Sequence, residues 1–240
     1  MAMVSVAEAA QRLGVGVPRI HQRIRDGSLR AERLGSQWVV DELSLVRAAE
    51  LKEPGRPLSA RSAWALIALS EDDEQALEGL AAAELSRARS RLRALLSVVD
   101  PAPRSEDVVR QVASSLRLRF RNRAAVLDRQ AAAADLDALG ADPRWCALVR
   151  PSSSGIGSRD VFGYLQADDV AAVEREHLLL PARAGEGGNV RILVLPAGQN
   201  AYPDAALRLA ADLADQRGPR EELRAVVLLG EVAARWEAGR

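Results

Sequence analysis

Apolar residues recur at helical spacing through most of the chain, interrupted by short alternating runs and by clusters of Gly, Pro and acidic residues. Near the N-terminus Val6, Ala9, Ala10 and Leu13 make one narrow stripe, opened by the capping pair Ser5 and Glu8 and closed by Gly14. Pro18 suits the first position of a second helix, whose Ile20 and Ile24 pack one turn apart on the first helix. The other face of that helix carries Arg19, Gln22 and Arg23, and Gly27 ends it. The residues that follow, up to Val40, read as two short strands joined at Gly35-Ser36, with Trp38 and Val40 on the same, buried side. Asp41 is placed to cap a third helix, in which Leu43, Val46 and Leu51 cover the bottom of the unit.

The polar and helix-stopping run Glu53-Pro54-Gly55-Arg56-Pro57 divides the chain into a domain at 1–53 and a larger one at 54–240. In the larger unit Ser59 caps a helix through Leu69 with Trp64 inside, and Ser70 to Asp73 starts another, its acids placed to stabilise the helix dipole. A helix from Glu84 to Val99 buries Leu85, Leu92, Leu95 and Leu96 and spreads Arg87, Arg89, Arg91 and Arg93 over its other faces. Ser105 starts a helix through Ser115, after which Leu116 to Arg123 alternates strictly, with Arg at every second position. That alternation predicts a half-buried strand with Arg117, Arg119, Arg121 and Arg123 on one side, a costly row unless an acidic partner or a phosphate backbone faces it. An Ala-rich helix is expected over 128–139, a helix over 168–176, and strands over 145–149, 161–165, 178–180 and 190–195, the last two bracketing a turn at Gly185 to Gly188. Helices over 203–216 and 219–236, split by Gly218, close the chain. The fold class these elements predict is α+β, mainly helical.

Composition adjusts the picture in three ways. With 48% hydrophobic but only 3% aromatic residues, the core must be built from Ala, Leu and Val, which favours closely packed helices. The 33 basic and 33 acidic residues cancel, so no overall field draws the chain to nucleic acid, and any attraction must be local. Residues 19–37 hold five Arg against Asp26 and Glu32, an excess of three that would need a homodimer or a second basic surface for tight DNA binding. Cys146 is the single cysteine and His21 and His177 the only histidines, so neither a disulfide framework nor a metal cluster is expected, and no cofactor. The absence of a signal-peptide pattern and of an apolar run long enough to span a bilayer predicts a cytoplasmic protein without membrane partners. Ser152 to Ser158 is Gly- and Ser-rich but lacks the Lys-Ser/Thr ending of a phosphate-cradling loop and leads into a strand. No nucleophile–base pair or paired carboxylates stand in a catalytic context, so an enzyme is not expected.

The ordered pattern SVAEAAQRLGV, then PRIHQRIRDGSLRAERLGSQWVV, resembles the winged helix-turn-helix of excisionase-like and MerR-like DNA-binding domains. The resemblance implies that the second helix enters the major groove with Arg19, Gln22 and Arg23 and that Ser36 and Gln37 lie at the tip of the wing. Val17 stands where that family usually carries a capping hydroxyl. Arg can contact guanine and Gln adenine in bidentate fashion, so these residue types suit sequence reading from one helical face.

Near the other end, NVRILVLP followed by YPDAALRLAADLADQRGPREELRAVVLL is similar to the C-terminal part of AbiEi-like antitoxins and related actinobacterial regulators. That similarity implies a cognate nucleotidyltransferase-type toxin as a partner. Together the two resemblances imply a sequence-specific DNA-binding regulator, an autorepressor and the antitoxin of a toxin pair. The alternatives are an antitoxin module that binds only protein, and an excisionase-like architectural factor.

Overall fold

A computed structural model describes residues 3–25, 29–35, 37–42, 44–45, 57–97, 99, 106–149, 160–182, 188–196 and 198–238. Among them are ten helices and two sheets, a mixed α+β arrangement dominated by helix.

At the N-terminus, β1 (Met3–Ser5), α1 (Val6–Leu13), α2 (Val17–Arg25), β2 (Ala31–Leu34) and β3 (Gln37–Asp41) surround a core of their own, made by Val4, Ala9, Ala10, Ile20, Leu29, Val40 and Leu45. Ser5 caps α1, its Oγ accepting the Glu8 amide at 3.1 Å. The Glu8 carboxylate, expected to reach back to Ser5, pairs instead with Arg12 one turn on, at 2.5 Å. Gly14 ends α1 at φ 65°, where its N–H reaches the carbonyls of Ala10 and Gln11; that conformation costs least without a Cβ. Helix α2 begins at Val17, and the Gly16 carbonyl accepts from Arg19 at 2.9 Å and Ile20 at 3.4 Å. Glycine is tolerated at a helix start, so the missing hydroxyl cap costs little.

The hairpin of β2 and β3 gains a third strand that the sequence pattern did not show. β1 lies antiparallel to β3, Val4 opposite Val40, giving the order β1-β3-β2. Three residues are too few to display an alternation. The predicted third helix rests on Leu43, Val46 and Leu51, which lie outside the described residues, as do Gly27 and the boundary at 53/54.

The larger unit is layered. α3 (Ala60–Ser70), α4 (Glu74–Leu77), α5 (Ala82–Leu96), α6 (Glu106–Phe120), α9 (Ala206–Gln216) and α10 (Pro219–Ala238) cover one face of a five-stranded sheet. The strands are β4 (Ala125–Gln130), β5 (Ala147–Leu148), β6 (Val161–Gln166), β7 (Leu180–Pro181) and β8 (Val190–Leu195), in the order β5-β6-β8-β4-β7. β6 and β8 run parallel and are joined through α8 (Ala167–Glu176), while every other pair is antiparallel. Along β6, Phe162 and Tyr164 enter the helical core and Val161 and Leu165 enter a second core. That second core includes α8 and α7 (Leu136–Gly140). Burial on both faces explains why this strand reads as a continuous apolar run.

Two expectations are corrected. Leu116 to Phe120 does not form a strand but completes α6, because Val109, Val112, Ala113, Leu116 and Phe120 continue one buried helical face. Leu118, which a strand would have buried, is exposed. The expected Ala-rich helix over 128–139 is instead the end of β4 followed by the short α7, since Ala131 to Asp135 offers no apolar stripe to bury. The loop at 152–158 and most of the turn at 185–188 lie outside the described residues.

Candidate nucleic-acid interface

α2 owes its place to one buried residue. Ile20 is sealed against α1 in the small core, which turns Arg19, one position before it, and Gln22, two positions after it, outward. Arg19 and Gln22 are exposed and Arg23 is half-buried beside them. Arg19 Nη1 donates to Gln22 Oε1 at 2.9 Å, so the two polar ends already lie together on one face. No acidic residue occupies the first turn of α2, and Arg23 and Arg25 fall in its last turn. Of the residues expected at the wing tip, Gln37 is exposed at the start of β3, opposite Leu34, and Ser36 lies outside the described residues.

Trp38 corrects another expectation. Its neighbour Val40 is fully buried, but Trp38 remains 37% exposed. Its ring closes a groove of about 450 Å³ whose opposite wall is Val17, Pro18, His21, Ile24 and Arg25 of α2.

The four arginines read as one row are dispersed. Arg117 donates to the Ala214 carbonyl at 3.2 Å and lies 3.7 Å from Glu222, which binds α6 to α9 and α10. Arg119 is half-buried, Arg121 is exposed, and Arg123 is 1% exposed in the centre of the unit. No acidic partner could meet all four on one side.

Arg123 anchors a network that sequence reasoning missed. Its Nη2 donates to Asp212 at 2.8 Å and lies 2.7 Å from Asp215, while its Nε donates to Tyr164 Oη at 2.8 Å. Tyr164 Oη in turn donates to Asp212 Oδ1, and Arg208 Nη1 donates to Asp212 Oδ2, each at 2.5 Å. Arg208 also stacks on the Tyr164 ring and holds the carbonyls of Tyr202 and Pro203. Trp64 Nε1 donates to the Arg123 carbonyl at 2.8 Å. Burial alone would push the Arg123 guanidinium down; Tyr164 and the two carboxylates outweigh it and hold it well above its ordinary value. Two cations face two anions and their polar atoms are mutually engaged, so the cluster ties α9, β6 and the turn after α6 together. A sequence signal for it existed: Leu207, Leu209, Ala210, Ala211, Leu213 and Ala214 surround α9 with apolar residues, leaving Arg208 and Asp212, one turn apart, no solvent to face.

On the sheet's other side Arg144 donates to Asp142 at 2.6 Å and to Glu176 at 2.5 Å, and His177 Nε2 meets Asp142 at 2.8 Å. The Arg144 hydrogen bonds hold the Asp142 carboxyl well below the usual carboxylate range. This clamp fastens the turn before β5 to the end of α8. Among the described residues no group of three or more His, Cys, Asp or Glu is placed to hold a metal ion, and no helix is long and apolar enough to cross a membrane.

No protein-family model, curated protein or solved structure matches the chain.

Proposed function

We propose that the chain is a sequence-specific DNA-binding transcriptional regulator acting as an autorepressor, with its N-terminal unit working as a winged helix-turn-helix. The observation that carries the reading is the outward face of α2. Arg19, Gln22 and Arg23 lie together there on a short helix that Ile20 anchors to a small separate core. A helix of this size fits the major groove, and its residue types match guanine and adenine edges. The antiparallel hairpin of β2 and β3 brings Gln37 and Arg33 to the same end of the unit, where a wing would meet the phosphate backbone. The excess of positive charge over 19–37 is small, so two copies on a two-fold site supply the affinity that one lacks. Pairing with a nucleotidyltransferase-type toxin rests on the sequence likeness of residues 189–229, which include β8, α9 and the first half of α10.

The test is a footprint of the full chain on its own upstream DNA, with random duplex as competitor. Protection of a short, inverted pair of half-sites that survives competitor supports the reading. Protection that disappears at equal mass of random duplex would leave only non-specific binding and defeat it.

A further inference from the structure

Where α6 ends, the chain folds onto the start of α3, and the Leu58 amide donates to the Arg119 carbonyl at 3.0 Å. The junction leaves a groove of about 610 Å³ lined by Leu58, Ser59, Ser62, Arg91, Arg119 and Asn122. Two guanidiniums from different helices share it. Arg91 approaches Ser62 Oγ at 3.5 Å, and Arg119 Nε is buried with no hydrogen-bond partner among the described residues. Burial, and then repulsion from Arg91, pushes the Arg119 guanidinium below its ordinary value.

The other arginines that sink into this unit are treated differently. Arg117 has Glu222, Arg123 and Arg208 have Asp212, Arg129 has Glu174, and Arg144 has Asp142. Among the described residues Arg119 has no such carboxylate, although a half-buried guanidinium without an anion is costly. Neutral donors line the same groove: the hydroxyl of Ser62, whose oxygen accepts from Ser59 Oγ at 3.1 Å, and the amide of Asn122. The groove also opens at the N-terminal end of α3, where no acidic residue occupies the first turn.

We propose that this groove binds the phosphate group of a small ligand, with Arg91 and Arg119 as the charged clamp and Ser62 and Asn122 as neutral donors. Guanidinium forks and hydroxyls match the tetrahedral oxygens of phosphate, and a dianion would relieve the repulsion between the two cations. The recessed position of Arg119 and a volume within the roughly 300–1,000 Å³ of small-molecule sites favour a small phosphate compound over the backbone of a duplex. None of these residues belongs to the DNA-reading face, so the site can hold or fail independently of that reading.

The experiment measures binding of glycerol 3-phosphate and of inorganic phosphate to the full chain by calorimetry and by thermal melting, in chloride buffer free of sulfate. Saturable binding with a raised Tm is expected. Arg119→Gln and Arg91→Gln should each weaken binding about tenfold or more, while Arg93→Gln, which removes the same charge from α5 outside the groove, should change it less than about twofold. Arg91 is exposed, so Arg91→Gln keeps the test alive if Arg119→Gln fails to fold. Without ligand, Arg91→Gln should raise Tm, because the repulsion on Arg119 is gone. Tighter binding of glycerol 3-phosphate identifies a phosphomonoester and equal binding identifies free phosphate; either supports the site. Absence of saturable binding, an equal loss in Arg93→Gln, or a loss in the groove variants confined to affinity for random duplex would overturn it.

Discussion

Arg123 and Asp212, 89 residues apart in the chain, meet at 2.8 Å in a place where both are sealed from solvent. The contact joins the turn after α6 to the middle of α9 and positions Tyr164 of β6 between them. A buried pair of this kind adds little over a well-packed apolar substitute, but breaking it strands a charge.

Asp212→Ala leaves both Arg123 and Arg208 without that carboxylate, so the expected loss is about 3–5 kcal/mol. Urea denaturation of the full chain measures it. A loss under about 1 kcal/mol, the size of a surface ion pair, would mean that water reaches the cluster.

In the N-terminal unit the largest cost should come from Ile20 and not from Trp38. Ile20→Ala removes a fully buried side chain and is expected to cost about 2–5 kcal/mol, enough to unfold so small a unit. Trp38→Ala, from a ring 37% exposed, should cost clearly less than the roughly 3–5 kcal/mol of a buried aromatic. Hydrogen exchange of the α1 and α2 amides reads both, and equal loss of protection in the two variants would show the indole to be core.

Gly163 sits where β5 crosses closest to β6. A Cβ there would stand 2.6 Å from the Ala147 carbonyl oxygen and 2.9 Å from Trp145. Gly163→Ala is therefore expected to push β5 outward at a cost of about 1–3 kcal/mol, seen in the thermal midpoint and in faster exchange of the Cys146 and Val149 amides, which bond to β6. An unchanged midpoint would contradict the close approach.

The Asp142 clamp gives a pH dependence of defined sign. Its carboxyl is held below its unfolded value, so the stability it contributes is fully present above about pH 4 and is lost as pH falls through the lower folded value. Asp142→Asn should flatten this part of the acid limb. An acid limb identical in both proteins would show that the Arg144 contact does not persist in solution.

What the sequence revealed was local. Ser5, Gly14 and Ser59 act within three or four residues of themselves, and each stands where its side chain or its lack of one predicts. The alternation after Ser115 misled because Leu116 and Phe120 satisfy two periods at once; only the earlier Val109, Val112 and Ala113 decide for the helix. Once Arg119 is on a helix, the arginines two apart no longer share a side, and the row dissolves. The Arg123–Asp212 contact depends on three elements meeting, which no single window contains. The α2 face was legible because its spacing and its anchor, Ile20, lie within one helix.

Whether α2 reads DNA sequence is tested most directly by base preference measured with Gln22→Ala and Arg23→Ala. A duplex selected from a random library by the full chain is titrated with each variant alongside random duplex. Each variant is expected to lose about 1–3 kcal/mol on the selected site, to relax preference at one or two base pairs, and to keep its affinity for random duplex. Selected-site affinity and base preference unchanged in both variants would contradict sequence reading by α2.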